Sequence, residues 1–250
     1  MFDVINNVHP NEILRCEVGS TLHGIDIGSD DTDWMGIMTE PENALFGLEG
    51  FEQIMQRTAA EGKRSGPNDI DITVFGLKKW MRLAVQGNPS VIMLLYAPED
   101  KYVHMTNIGR ELIEMRDSIV STHCVNRFLG YMSGQRQRAL KGTGGGHGNR
   151  EGRREKWASH MVRLGHQGLE LATEGTLTLP MKPHAAEHCK AIKRSDINFE
   201  LALQIAEDLE SQIEYAKTHG KLAVPDEPDR DKIQRWMKST YVKKHFETDV

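Results

Sequence analysis

The chain has 250 residues, and its 31 basic and 36 acidic side chains give a formal net charge of −5. With 38% hydrophobic and 27% charged residues, the composition is typical of a globular protein with a buried core, which excludes a disordered chain or a fibrous repeat. No apolar run reaches the roughly 18 residues of a transmembrane helix, so we expect no membrane partner. The first residues lack the pattern of a signal peptide, and the three cysteines have no CxxC spacing. We therefore expect a cytoplasmic protein.

Three segments in the first hundred residues have the pattern of β-strands. Leu14, Cys16 and Val18 alternate with charged residues, DTDWMGIM follows a glycine-rich segment, and DIDITVF (residues 69–75) is rich in β-branched side chains. The stretch RTAAEGKRSGPN before the third strand is predicted to be a mobile loop. A helix is expected from Leu77 to about Val85, and the run VIMLLYAP is predicted to be a buried helix.

Beyond residue 101 the pattern is helical almost throughout. We expect helices at about 107–119, 122–140, 153–173, 184–193, 197–219 and 229–240, with a glycine-rich basic loop between the second and the third. The sequence therefore predicts an α+β protein, with a small mixed-sheet domain over residues 1–98 and an α-helical bundle domain over residues 99–250.

The acidic residues of the second and third predicted strands are the strongest functional signal. Asp31 and Asp33 project from the same side of a strand, because side chains alternate with a period of two. Asp71, on the next predicted strand, supplies a third carboxylate. Carboxylates held this close repel each other unless a hard cation neutralises them, and oxygen ligands suit Mg²⁺. Two Mg²⁺ ions held in this way would activate a hydroxyl and stabilise a leaving pyrophosphate. The alternative is that these aspartates only form turns.

Gly19 and Ser20 come directly after the first predicted strand and before a short predicted helix. Because glycine has no side chain, the backbone there can approach a phosphate closely, and Ser20 offers a hydroxyl and an N–H group. Taken alone, however, a Gly-Ser pair does not identify a binding site.

The order of these motifs resembles a known family. A Gly-Ser pair, an acid pair separated by one residue and a third aspartate on a later strand are similar to the nucleotidyltransferase signature of the DNA polymerase beta superfamily. The segments DITVFGLKKWMRLAVQGNPSVIMLLYAP and KWASHMVRLGHQGLELATEGTLTLP resemble the predicted nucleotidyltransferases associated with RNA repair, which are frequent in bacteria and phages. The resemblance extends from Cys16 to about Trp236. It implies that Gly19 and Ser20 hold phosphates and that Asp31, Asp33 and Asp71 hold the metals.

The sequence departs from the family pattern at one position. The family usually has a serine directly before the first metal-binding aspartate, whereas here Asp30 stands there and Ser29 is displaced by one residue. The first metal ligand is therefore either Asp30 or Asp31. We choose Asp31, because only Asp31 and Asp33 form an acid pair separated by one residue.

The positive charge is concentrated in the second part of the chain. Residues 1–100 hold 7 basic and 16 acidic side chains, a net charge of −9, whereas residues 121–165 hold 9 and 2, a net charge of +7. In the predicted helix over 153–173, Lys156, His160, Arg163 and Gln167 form a polar stripe beside an apolar one. The first three are predicted to bind a triphosphate. The alternative is a solvated helix face.

Together these features predict an enzyme that uses Mg²⁺ and an NTP. It would transfer a nucleoside monophosphate to a hydroxyl group, for which an RNA or tRNA end is one acceptor. Protein and small-molecule acceptors stay open, as does a catalytically silent module that binds nucleotides or nucleic acid. The sequence does not indicate the preferred base, the oligomeric state or a role for the glycine-rich loop over residues 141–155.

Overall fold

The fold combines a five-stranded mixed sheet with a series of helices, which confirms the predicted α+β class. The computed structural model describes residues 2–28, 31–63, 65–66, 68–141 and 150–246. Its strands are β1 (Glu12–Glu17), β2 (Thr32–Met38), β3 (Gln53–Arg57), β4 (Ile70–Gly76) and β5 (Tyr102–Met105). They lie in the order β3-β4-β2-β1-β5, in which β2 and β4 are parallel and the other neighbours are antiparallel.

The two edge strands, β3 and β5, were not predicted from the sequence. Strand β3 alternates only weakly between buried and exposed side chains, and β5 has four residues. An edge strand has one neighbour and less buried surface, so its sequence carries a weaker hydrophobic pattern than that of a central strand. β5 brings residues 102–105 into the sheet, and the domain division at residue 98 stays a prediction.

Helices connect the strands and make up most of the chain beyond β5. In chain order they are α1 (Gly19–His23), α2 (Glu42–Phe46), α3 (Leu77–Val85), α4 (Pro89–Ile92), α5 (Asn107–Glu114), α6 (Arg116–Ile119), α7 (Thr122–Lys141), α8 (Arg150–Glu174), α9 (Pro183–Lys193), α10 (Phe199–Thr218) and α11 (Arg230–Phe246). The run VIMLLYAP is helical and buried as expected, but it is divided between α4 and a 3-10 helix, Met93–Tyr96. The helix predicted over 107–119 is interrupted at Met115, between α5 and α6.

The main hydrophobic core lies between one face of the sheet and the helices. On α3, Leu77, Trp80 and Ala84 are fully buried, which is the stripe that their spacing predicts. Burying a large apolar side chain contributes about 1.5–3 kcal/mol to the free energy of unfolding. A smaller cluster, formed by Val4, Met38, Ile72 and Val74, covers the other face of the sheet. The sheet is thus fixed from both sides.

Helix α8 is held between α7, α9 and α10. Its Met161, Leu164 and Leu171 are buried, as the predicted apolar stripe requires. At Gly168 the helices are so close that an added β-carbon would lie 3.0 Å from Cβ of Phe128 on α7. This packing fixes the rotation of α8 about its axis and therefore the direction of its polar stripe. In the described part of the chain, no helix has the length and apolar character needed to cross a bilayer.

Candidate active site

The three aspartates chosen from the sequence lie together at one end of the sheet. Asp33 on β2 and Asp71 on β4 are direct neighbours in the register of the parallel pair. Carboxylate oxygens of Asp31, Asp33 and Asp71 all lie within 4.8 Å of one another, and each residue is half-buried. Asp30, the alternative first ligand, lies outside the described residues. The geometry suits an oxygen-liganded cation, because three carboxylates at this spacing need a positive charge between them.

Gly19 begins α1 directly beside this acidic triad. Its φ of +73° is in the left-handed region, and an added β-carbon would overlap the carboxylate of Asp33. The backbone of the preceding residue is tied to the same strand, since Val18 N–H donates to the carbonyl oxygen of Asp33 over 2.8 Å. Glycine is therefore required at this position both for the backbone conformation and for the close approach to Asp33. Ser20 follows in the first turn of α1 and lines the same cleft.

Asp71 has two polar neighbours that the sequence did not suggest. Its Oδ1 accepts a hydrogen bond from Ser65 Oγ over 2.8 Å and lies 3.7 Å from Nε of Arg57. Arg57 also donates to Ser65 Oγ over 2.7 Å. Arg57 is the β3 residue in register with Asp71. Since β3 was not predicted, the sequence offered no reason to place Arg57 beside the third aspartate.

The cationic stripe of α8 and two aspartates of the triad, Asp31 and Asp33, line the same cleft of about 350 Å³. Lys156, His160 and Arg163 line this cleft together with Gly19, Ser20, Asp31 and Asp33. Lys156 is exposed, whereas His160 and Arg163 are half-buried. Lys193, from the last turn of α9, also lines the cleft and was not singled out in the sequence; its ammonium group donates to the carbonyl oxygen of Ile25 over 3.0 Å. Only Asp71, of the eight predicted site residues, does not line this cleft; it lines a second cleft that Asp33 shares.

Arg163 is anchored by a histidine of α1. Its Nη1 donates to Nε2 of His23 over 2.7 Å and to Oε1 of Gln167 over 3.0 Å. Burial, and then the charge of Arg163, hold the pKa of His23 well below its usual value, so that imidazole is neutral and accepts at Nε2. The side-chain amide of Gln167 lies 3.1 Å from Nδ1 of the same ring. Gln167, which was counted with the polar stripe, is therefore a buried support for Arg163.

Arg163 keeps its positive charge although burial lowers the pKa of its guanidinium to about 10. Its Nε is buried and has no hydrogen-bond acceptor among the described residues. A charged donor without an acceptor is costly. The site thus combines an acidic end, suited to cations, with a basic wall suited to phosphate.

Comparison with known protein families gives a match over nearly the whole chain. Residues 2–239 match the model of the RNA repair pathway DNA polymerase beta family. Curated proteins gave no match. Among solved structures, a nucleotidyltransferase-like protein from Exiguobacterium sibiricum is similar at 10% identity and a TM-score of 0.32, over 94% of this chain and 87% of that one.

Proposed function

Because its residues 2–239 match that family, the chain belongs to the RNA repair pathway DNA polymerase beta family, and we propose that it is a Mg²⁺-dependent nucleotidyltransferase acting on an RNA end. It transfers a nucleoside monophosphate from an NTP to a hydroxyl group of the RNA and releases pyrophosphate. The observation that carries this proposal is the cleft in which Asp31 and Asp33 face Lys156 and Arg163. A binding module would have no need of the carboxylates.

The acidic triad is the proposed metal site. Three carboxylate oxygens within 4.8 Å of one another match the donor atoms that Mg²⁺ prefers. Bound there, Mg²⁺ would neutralise charge on the reacting phosphate and lower the pKa of the acceptor hydroxyl. The protein's own contribution is to hold the carboxylates at this spacing through the paired register of β2 and β4.

The basic wall of the cleft is the proposed site for the triphosphate. Gly19 brings the backbone close, Ser20 offers its hydroxyl and N–H groups, and Lys156 and Arg163 supply positive charge. The Nε of Arg163 would donate to a phosphate oxygen and so gain the acceptor that it lacks. His160, between these two cations on the same stripe, would donate a further hydrogen bond.

The acceptor has a separate approach on the sheet side of the triad. A second cleft of about 350 Å³ is lined by Asp33 and Asp71 together with Arg57, Met55 and Thr73. In phosphoryl transfer the attacking and leaving oxygens lie roughly in line on opposite sides of the phosphorus. A triad shared by two clefts fits this requirement, with the pyrophosphate leaving on the α8 side and the hydroxyl arriving on the β3 side. The exposed guanidinium of Arg57 would attract the phosphates of an RNA strand.

The experiment is transfer of label from an NTP labelled at its α-phosphate, in the presence of Mg²⁺. Total cellular RNA, protein and small metabolites are offered in parallel, and RNA is expected to take the label. Asp33→Asn should reduce transfer at least a thousandfold, because the metals would lose a shared ligand. Asp69→Asn is the matched control: Asp69 lies two residues from Asp71 but is held by the N–H of Gly66 and the hydroxyl of Thr58 instead.

Each outcome bears on a different part of the proposal. Full activity in Asp33→Asn would refute the metal site. Label in protein or in a small metabolite, and none in RNA, would leave the chemistry standing and refute the RNA acceptor. No transfer to any acceptor, with NTP bound, would identify a binding module.

A further inference from the structure

A further cavity, of about 590 Å³, adjoins the candidate active-site cleft beside α8. The two spaces share Lys193 as a lining residue. The candidate active-site cleft is lined by Arg163 and Lys156 of α8. The further cavity is lined by Glu155 and Arg154, which lie nearer the start of the same helix. Its far wall is the segment 195–200, which connects α9 to α10 and includes the first two residues of α10. The cavity therefore adjoins the cleft at Lys193.

The cavity has an apolar floor and a flat cationic wall. Ala158 and Ile192 are each 1% exposed and form the floor. At the rim, the guanidinium carbon of Arg154 lies 3.8 Å from the ring centroid of Phe199, so the guanidinium is stacked on the phenyl ring. Both residues line the cavity, and planar groups of this kind stack on nucleobases.

One buried polar atom of this cavity has no partner. Oε2 of Glu155 is shielded from solvent and accepts no hydrogen bond from the described residues. Leaving a buried charged acceptor unsatisfied is unfavourable, and such atoms are uncommon in folded proteins. Glu155 as a whole is half-buried and lines the cavity, so a rotation of its carboxylate would bring Oε2 to a ligand with an N–H or NH₂ group at its edge, which would supply the missing donor.

We propose that this cavity is the subsite for the base of the incoming NTP, and that it selects a base with an exocyclic amino group. The inference rests on the function proposed above, which places the triphosphate in the adjoining cleft. The base would stack on the Arg154–Phe199 pair and donate its amino hydrogens to Oε2 of Glu155, with the ribose beside Lys193. Adenine, cytosine and guanine carry such an amino group. Uracil does not.

The test measures binding and leaves turnover aside. The α,β-methylene analogues of ATP, CTP, GTP and UTP, which cannot be cleaved between the α- and β-phosphates, are titrated with Mg²⁺ into the full-length protein, and tripolyphosphate is titrated separately. The best amino-bearing analogue should bind about tenfold more tightly than the UTP analogue, the factor of one charged hydrogen bond. Equal affinity for all four analogues would overturn the proposal.

Three variants locate the effect. Glu155→Gln should reduce the preference over uracil to less than about threefold, because a carboxamide can turn to donate to the uracil O4. Arg154→Lys keeps the charge but loses the planar group, and it should weaken all four analogues about tenfold while leaving tripolyphosphate binding unchanged. Glu174→Gln, at the other end of α8 and outside the cavity, is the matched control. It should change the affinity neither for the nucleotide analogues nor for tripolyphosphate.

Failure of the base subsite and failure of the proposed reaction give different results. If transfer depends on Asp33 but nucleotide affinity is unaffected by Glu155→Gln and Arg154→Lys, the subsite is refuted and the nucleotidyltransferase stands. If the analogues discriminate as expected and no acceptor is labelled, the cavity still binds a base and the proposed reaction is refuted.

Discussion

Gly19 and Asp33 approach each other so closely that the space between them has no room for a β-carbon. The contact joins the start of α1 to β2, which carries Asp33 and begins directly after Asp31, and the hydrogen bond from Val18 N–H to the Asp33 carbonyl holds the same two segments together. The Gly-Ser pair and the acid pair, separated in sequence by more than ten residues, are thus one structural unit.

Gly19→Ala is therefore expected to damage the site more than the fold. The new methyl group would displace the Asp33 carboxylate, and the left-handed backbone would add about 1–2 kcal/mol of strain. We expect nucleotidyl transfer to fall at least a hundredfold, measured with labelled NTP. Gly28→Ala is the matched control: Gly28 also has a positive φ, +83°, but an added β-carbon there meets nothing within 4 Å. Similar losses in both variants would show that strain alone, and not the contact with Asp33, is responsible.

The parts of the fold that the sequence predicted are those with strong patterns. The β1, β2 and β4 segments carry alternation or β-branched runs, and α3, α7, α8 and α10 bury apolar stripes at helical spacing. The edge strands β3 and β5 depend on pairing with a neighbour, which no local pattern encodes. Their absence from the prediction also removed Arg57 from the predicted site.

The site itself was predictable wherever chemistry needs a fixed spacing. Asp31 and Asp33 were placed by the strand period and the stripe of α8 by the helix period. His23 was not assigned a role, because a histidine in a short segment has no periodicity to show which side chain it will contact. Lys193 was missed for a related reason: it enters the cleft only because α9 packs against α8.

Lys156 and Arg163 are predicted to bind the same triphosphate but to differ in their effect on folding. Lys156 is exposed on the cleft wall, so Lys156→Ala should raise the KM for NTP about tenfold and leave the Tm unchanged. Arg163→Ala should raise the KM and also lower the Tm by several degrees, because His23 and Gln167 would lose their donor. Steady-state kinetics and thermal unfolding measure both.

The control for these two variants is Arg138→Ala, which removes an exposed cation from α7. It should change neither the KM for NTP nor the Tm if the phosphates bind in the cleft. An equal rise in KM in all three variants would instead point to attraction by the overall basic charge of this region.

Arg57 is expected to weaken metal binding in the absence of RNA. Its guanidinium lies 3.7 Å from Asp71 Oδ1 and its side chain is 44% exposed, so it competes modestly with a cation for that carboxylate. Arg57→Gln should lower the dissociation constant for Mn²⁺, followed by its electron paramagnetic resonance signal, about two- to fivefold. Arg82→Gln, which removes an exposed arginine paired with Glu52, should have no effect. Weaker Mn²⁺ binding in Arg57→Gln would mean that Arg57 holds Asp71 in position for the metal.

Stability is expected to fall in mild acid because of a histidine cluster between α8 and α9. Nε2 of His166 lies 3.1 Å from Nδ1 of His188, and the ring of His184 is 5.6 Å away. Burial, and then the neighbouring His188 and His184, lower the pKa of His166 from 6.5 to about 4. Since the unfolded chain takes up this proton near pH 6.5 and the folded chain does so only near pH 4, the contribution of His166 is complete above pH 6.5 and is lost between these values.

The loss should amount to roughly 2 kcal/mol in the free energy of unfolding, measured by urea denaturation at a series of pH values. His166→Gln removes the titrating group and should flatten the dependence between pH 6.5 and 4, although His23, whose pKa is also lowered by burial, will preserve part of the slope. His219→Gln, at the exposed end of α10, is the matched control and should follow the wild-type curve. A His166→Gln curve as steep as that of the wild type would mean that other groups, such as His23 or the carboxylates, account for the acid sensitivity.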